Sequence, residues 1–162
     1  MRSPSKTRAR LLTAVLALAL PGCGGGGGGG SSSPTAPSTP TRRAIGNVNF
    51  QVLGTNEARR LGLIVDAFLQ EISITGTAAN PLEMIADWTF ASNDIDIVLF
   101  RGSCTPQAFI AQSCTELAAT TSTTTKPERL VVSNVAPGGY TIAIVNFGPT
   151  NESGVLQVFA TQ

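Results

Sequence analysis

Between residues 82 and 159 the chain repeatedly exchanges apolar for polar side chains at every second position. Leu82, Met84, Ala86, Trp88 and Phe90 alternate with Glu83, Ile85, Asp87 and Thr89, and Ile95, Ile97 and Leu99 alternate with Asp94, Asp96 and Val98. Tyr140, Ile142 and Ile144 form one face of a third run, and Val155, Gln157 and Phe159 one side of a fourth. Successive side chains of an extended strand point to opposite faces, so the four runs predict β-strands, with Trp88 and Phe90 on the same core face as Met84. Turn formers stand between them: Gly76 with Asn80 and Pro81; Ser92, Asn93 and Asp94; Arg101, Gly102 and Ser103; Pro137, Gly138 and Gly139; and the stretch 148–154. Short strands joined by short loops predict an all-β fold, an antiparallel two-sheet β-sandwich. Residues 58–71 fit two patterns, because Leu61, Ile64, Val65 and Phe68 also have helical spacing. The β-branched residues Ile72, Ile74 and Thr75 pull the end of that segment into a strand, and it is read as mostly strand.

The amino end follows a different pattern. Arg2, Lys6, Arg8 and Arg10 precede an apolar run over residues 11–20, and the small residue Gly22 stands just before Cys23. This is the three-part layout of a bacterial secretion signal, and the run is about half of the roughly 20 residues needed to span a bilayer. The segment Leu20, Pro21, Gly22, Cys23 resembles the lipobox of bacterial lipoproteins, although Pro21 departs from the small or branched residue usual there. The resemblance implies that the Cys23 sulfur receives a diacylglycerol and that Cys23 becomes the first residue of the mature chain. Each buried methylene contributes about 0.8 kcal/mol and one acyl chain alone gives only reversible attachment, so several chains on Cys23 would make release slow. Gly24 after the cysteine, rather than aspartate, implies by the same resemblance an outer-membrane destination in a host with two membranes.

Seven glycines follow Cys23, and then SSSPTAPSTPT, with no apolar side chain larger than Ala36 up to Arg43. Such a stretch cannot bury enough surface to fold and is expected to be a disordered tether. Its typical end-to-end distance as a flexible coil is about 25 Å, which holds a folded domain clear of lipid headgroups. The expected organisation is a signal peptide over 1–22, the lipidated cysteine and linker over 23–43, and one β-sandwich domain over 44–162, a length suited to a single core.

Charge and residue inventory narrow the functions. The chain has 11 basic and 10 acidic residues; four of the basic ones lie in the leader, so the mature chain would carry seven against ten, a net charge of −3. That balance argues against a nucleic-acid partner, which calls for a basic patch. Histidine is absent from the whole sequence. The usual general base at neutral pH, the Ser-His-Asp and Cys-His arrangements and the commonest zinc ligand are therefore missing. Asp94 and Asp96 point the same way from one strand, with no second carboxylate nearby in sequence to define a cleft, so the expectation is a protein that is not an enzyme.

Two thiols remain beyond Cys23. Cys104 and Cys114 have nine residues between them in a segment rich in loop formers, and in an exported protein such a pair reads as a disulfide. A bridge closing that loop would contribute somewhat under about 3 kcal/mol. Calcium is the one cofactor the sequence raises: Asn93, Asp94 and Asp96 offer hard oxygen ligands at a strand entry, with Asn151 and Glu152 as further donors. The ion uses about six to eight oxygens, more than can be named here, and the competing reading is a turn in which Asn93 and Asp94 cap their own backbone.

The order of DWTFASNDIDIVLFRGSC, then KPERLVVSNVAPGGYTIAIVNFGP, then SGVLQVFA resembles the bacterial pre-peptidase C-terminal type of domain over residues 72–160. Trp88, the pair Asp94 and Asp96, and the turn from Pro137 to Tyr140 carry the likeness, which implies a jelly-roll-like β-sandwich. Such domains usually trail a secreted protease, whereas the residues ahead of this one read as a signal segment and a linker. The leading expectation is a membrane-anchored cell-envelope lipoprotein displaying a non-catalytic binding or structural module. Its membrane contact is through the lipid, and a polysaccharide or protein ligand is left open. The alternatives are an accessory module for a secreted protease or other hydrolase, and a small carboxylate-dependent hydrolase. A concave face with exposed aromatic rings would favour sugar binding, and a closed convex sandwich a scaffold.

Overall fold

The computed structural model describes residues 39–121 and 125–162. The expected signal peptide, Cys23 and residues 24–38 of the expected linker lie outside the described residues. Eight strands and two short helices follow in the order β1 (Arg42–Val52), α1 (Thr55–Arg60), β2 (Ala67–Ile74), β3 (Leu82–Trp88), β4 (Ile95–Arg101), α2 (Pro106–Ile110), β5 (Thr115–Ala119), β6 (Glu128–Val132), β7 (Gly138–Asn146) and β8 (Glu152–Thr161). They form two four-stranded sheets, β1-β8-β3-β6 and β2-β7-β4-β5, in which every pairing is antiparallel. The chain passes from one sheet to the other at every strand connection except β4 to β5, a jelly-roll order of strands.

The core between the sheets is built by the alternation read from the sequence. Leu82, Met84, Ala86 and Trp88 of β3, Ile95, Ile97 and Leu99 of β4, and Tyr140, Ile142 and Ile144 of β7 all point into it. Phe50 and Val52 of β1 and Leu156, Val158 and Ala160 of β8 complete it. At about 25 cal/mol per Å² of apolar surface removed from water, this shared layer is the main force holding the two sheets together. Tyr140 buries its ring and donates its hydroxyl to the carbonyl of Ala136 at 2.7 Å, which satisfies the one polar atom the ring brings inside.

Four expectations are corrected. The segment 58–71 is not mostly strand: residues 58–60 belong to a helix, α1, whose Glu57 in the first turn and Arg59 and Arg60 in the last suit the helix dipole, and β2 starts only at Ala67. Phe90 is not in the core: β3 ends at Trp88, and Phe90 is 55% exposed. The Thr89 N–H is shared between the Ser153 carbonyl of β8, at 3.2 Å, and the carboxylate of Glu152, at 3.0 Å, and the Phe90 N–H then turns to that carboxylate at 2.9 Å, which ends the ladder. The loop holding Cys104 contains a helix, α2, started by Thr105, whose Oγ1 accepts the Ala108 N–H, with Pro106 in the first turn. Arg42 and Arg43, which sequence reading places in the linker, are the first residues of β1. Arg42 is no freely solvated cation: it donates to Glu83 on β3 at 2.8 Å and lies over the ring of Phe159, 3.4 Å from its centroid. Arg129 on β6 donates to the other oxygen of Glu83 at 2.6 Å, so three strands of one sheet are tied through one carboxylate.

Candidate functional site

The second sheet is apolar on both faces. In β7 every residue from Tyr140 to Asn146 is buried, because Ile142 and Ile144 face the core while Ala143 and Val145 face outward into a second apolar cluster with Phe100 and Cys104. Two segments cover part of that outer face. One is the chain between α1 and β2, which lays Val65 against the cluster; the other is the β4–β5 connection, which lays down Phe109 and Cys114. That connection runs from residue 102 to 114, well beyond the two to five residues of an ordinary hairpin loop. Its base is closed by a disulfide between Cys104 and Cys114, with the Cα atoms 5.6 Å apart.

Between the two covering segments lies a groove of about 530 Å³. Val98, Phe100 and Val145 come from the sheet itself, Gly62, Leu63, Ile64 and Val65 from one bank, and Phe109, Ile110, Gln112 and Cys114 from the other, with Glu116 and Phe147 completing the lining. Phe109 meets Phe100 edge to face at 6.1 Å between ring centroids, which seats α2 on the sheet. Of the thirteen lining residues only Gln112 and Glu116 carry a hydrogen-bonding amide or carboxylate. Ile64, Ile110 and Phe147 stand 92%, 66% and 51% exposed at its edges, so the opening is itself apolar.

The residues singled out for calcium are arranged differently. Asn93 is buried and its side chain is fully engaged: Nδ2 donates to Glu152 at 2.9 Å, and Oδ1 accepts from the Thr150 hydroxyl at 3.0 Å and the Thr150 N–H at 3.3 Å. Glu152, read from the sequence only as a spare oxygen donor, is itself buried and accepts from Thr89, Phe90, Asn93 and Ser153. Burial alone would raise its pKa, but those hydrogen bonds outweigh burial and hold the carboxyl below its ordinary range. Asp94 and Asp96 interact instead with Glu128, at the start of β6. Burial raises the pKa of Glu128, hydrogen bonding to Thr120 opposes, and the charges of Asp96 and Asp94 raise it further. Burial followed by the charge of Asp94 likewise raises Asp96, against a hydrogen bond from Thr120. Among the described residues, no set of three or more His, Cys, Asp or Glu side chains is placed to hold a metal ion.

Trp88 is 6% exposed and donates its indole N–H to the Phe90 carbonyl at 2.9 Å, a core residue rather than a sugar platform. A second depression, of about 450 Å³, has Glu152 in its lining, but that carboxylate is already occupied by its four donors. The groove was not read from the sequence, although a signal existed. In the stretch YTIAIVNF the polar residues Thr141 and Asn146 bracket four apolar ones in a row, and a strand apolar on both sides is one covered on both sides. No family model matches the chain, and no curated protein matches it.

Proposed function

We propose that this chain is a lipid-anchored protein of the bacterial cell envelope whose β-sandwich is a non-catalytic binding module, with the outer groove of the second sheet as its binding site. The observation that carries the proposal is the groove: its volume falls within the roughly 300–1,000 Å³ typical of ligand sites. The chemistry of its lining selects the ligand. Eleven of thirteen lining residues offer no hydrogen-bonding side chain, so a polysaccharide would lose water from many hydroxyls without replacement partners, at a cost of about 1–3 kcal/mol each. A small ligand with an apolar body and one hydrogen-bond donor, the donor directed at Glu116, fits the lining best.

The anchor half of the proposal rests on the basic leader, the apolar run and Cys23, and the disulfide agrees with an oxidising compartment. The non-catalytic half rests on the absence of histidine and on Glu116 being the one acidic residue of the groove.

The test of the groove is a fluorescence titration with the neutral dye N-phenyl-1-naphthylamine. The protein is residues 23–162 carrying Cys23→Ser, so that no acyl chain competes for the site. Saturable binding that weakens about tenfold in Val98→Gln, which places an amide in the groove lining, supports the proposal. Absence of binding, or binding indifferent to that substitution, refutes it.

A further inference from the structure

One bank of the groove is attached to the protein in an unusual way. Residues 105–113 contribute Phe109, Ile110 and Gln112 to the lining, yet not one of the nine is fully buried. Among the described residues, every hydrogen bond of the segment ends within it: Phe109 N–H to the Thr105 carbonyl, Ala111 N–H to Gln107, Gln112 N–H to Phe109 and Ser113 N–H to Ala108, with Thr105 and Ser113 closing the two ends through their hydroxyls. The five-residue helix at its centre is far below the length of about 12–15 residues at which a helix persists alone in water.

The two ends of the segment are held unlike its middle. Cys104 is buried, and its N–H donates at 2.9 Å to the hydroxyl of Thr141, a fully buried residue of β7 that in turn donates to the Gly102 carbonyl. Cys114 packs into the same outer cluster and lines the groove. The far end is also held by the pairing of Thr115 with Arg101 in the β4–β5 ladder, and the Sγ–Sγ bond adds a second, closer link between the two ends of the segment. The middle of the segment meets the sheet through Phe109, whose ring packs on the outer cluster against Phe100.

We propose that residues 105–113 are a redox-controlled wall of the groove, seated while Cys104 and Cys114 are joined and released when they are reduced. Reduction by an external dithiol breaks the Sγ–Sγ bond. Two electrons and two protons pass from the dithiol, which closes to its own disulfide, and Cys104 and Cys114 become thiols. Freed of the constraint, the segment gains chain entropy that its ring contact and its internal hydrogen bonds do not offset, so it leaves the sheet while the sandwich stays folded. The consequence for binding rests on the groove being the ligand site; the release of the wall does not.

The test is amide hydrogen exchange on residues 23–162 carrying Cys23→Ser, oxidised and then reduced with dithiothreitol, followed by titration of both forms with N-phenyl-1-naphthylamine. Reduction is expected to remove protection from Phe109, Ala111, Gln112 and Ser113 while the β4–β7 pair Ile97 and Ile144 keeps its own. If the wall is then seated a tenth of the time, dye affinity falls about tenfold. The double variant Cys104→Ser, Cys114→Ser should reproduce the reduced protein on both counts. Wall amides that stay protected on reduction overturn the proposal, and so does protection lost only together with that of β4 and β7. If the oxidised protein takes up no dye, the groove assignment fails while the exchange pattern still decides the wall.

Discussion

Asn93 and Glu152 meet side chain to side chain at 2.9 Å, both buried, although 59 residues separate them in the chain. Their contact closes one end of the sandwich. Asn93 holds the loop before β4, Glu152 begins β8, and the backbone of the β3 exit donates to the same carboxylate. A residue pair with the composition of a cation site thus serves as a structural clasp.

Replacing Glu152 with Gln keeps the shape but turns an amide NH2 towards donors. Hydrogen bonds to a charged group contribute about 1.5–3 kcal/mol each and are not additive, so Glu152→Gln is expected to lose about 2–4 kcal/mol in urea unfolding at pH 7. The carboxyl is held below its ordinary value of 4.5 in the folded state. Its stabilisation is therefore complete above that value and is lost as pH falls through the lower folded-state value. The gap between wild type and variant should close in the same acid range. A gap that is unchanged at pH 3 would contradict the charged clasp.

Glu128 predicts the opposite sign. Its Oε2 has no hydrogen-bond partner among the described residues, it is 3% exposed, and its pKa is raised. A carboxyl with a raised folded-state value favours the folded chain below its ordinary value of 4.5, and that advantage disappears as pH rises through the raised value. Glu128→Gln removes the charge that faces Asp94 and Asp96. It should stabilise the protein at pH 7 by about 1 kcal/mol, a rise in melting temperature of about 3–6 °C, and change little at pH 4. Destabilisation at pH 7 would mean that the carboxylate has a compensating partner.

The strands were legible where one face is buried and the other wet. β3 shows the period of two cleanly, and Met84 and Trp88 are read from it as core, whereas in β8 the run Val155, Gln157 and Phe159 marks the outer side and Leu156, Val158 and Ala160 face the core. Extending the same period by one step placed Phe90 inside, because nothing local announces that Glu152 takes the next two N–H groups. The helix α1 was hidden by its length of six residues, too short for a periodic signal to outweigh the β-branched run behind it. The disulfide was legible, since two thiols at the base of one loop require little knowledge of the fold. The groove was not, because its parts come from segments far apart in sequence: Val65, Val98, Phe109 and Val145 meet only once the sheet exists.

The proposed anchor makes a prediction independent of the folded domain. Cys23 is the one cysteine of the leader region, so Cys23→Ser should abolish incorporation of a radiolabelled fatty acid in growing cells and leave the chain soluble or as precursor. Equal labelling of the variant would remove the lipoprotein reading and leave the groove untouched.

The most direct test of the binding module is to see where a ligand lands. Two-dimensional amide NMR spectra of residues 23–162 carrying Cys23→Ser, recorded as N-phenyl-1-naphthylamine is added, should show saturable shifts at Val65, Val98, Phe100, Phe109 and Val145, the lining of the groove. The row Asn47, Gln157, Ile85 and Arg129, which runs across the first sheet, should not move. Shifts confined to that row, or none that saturate, would contradict the account.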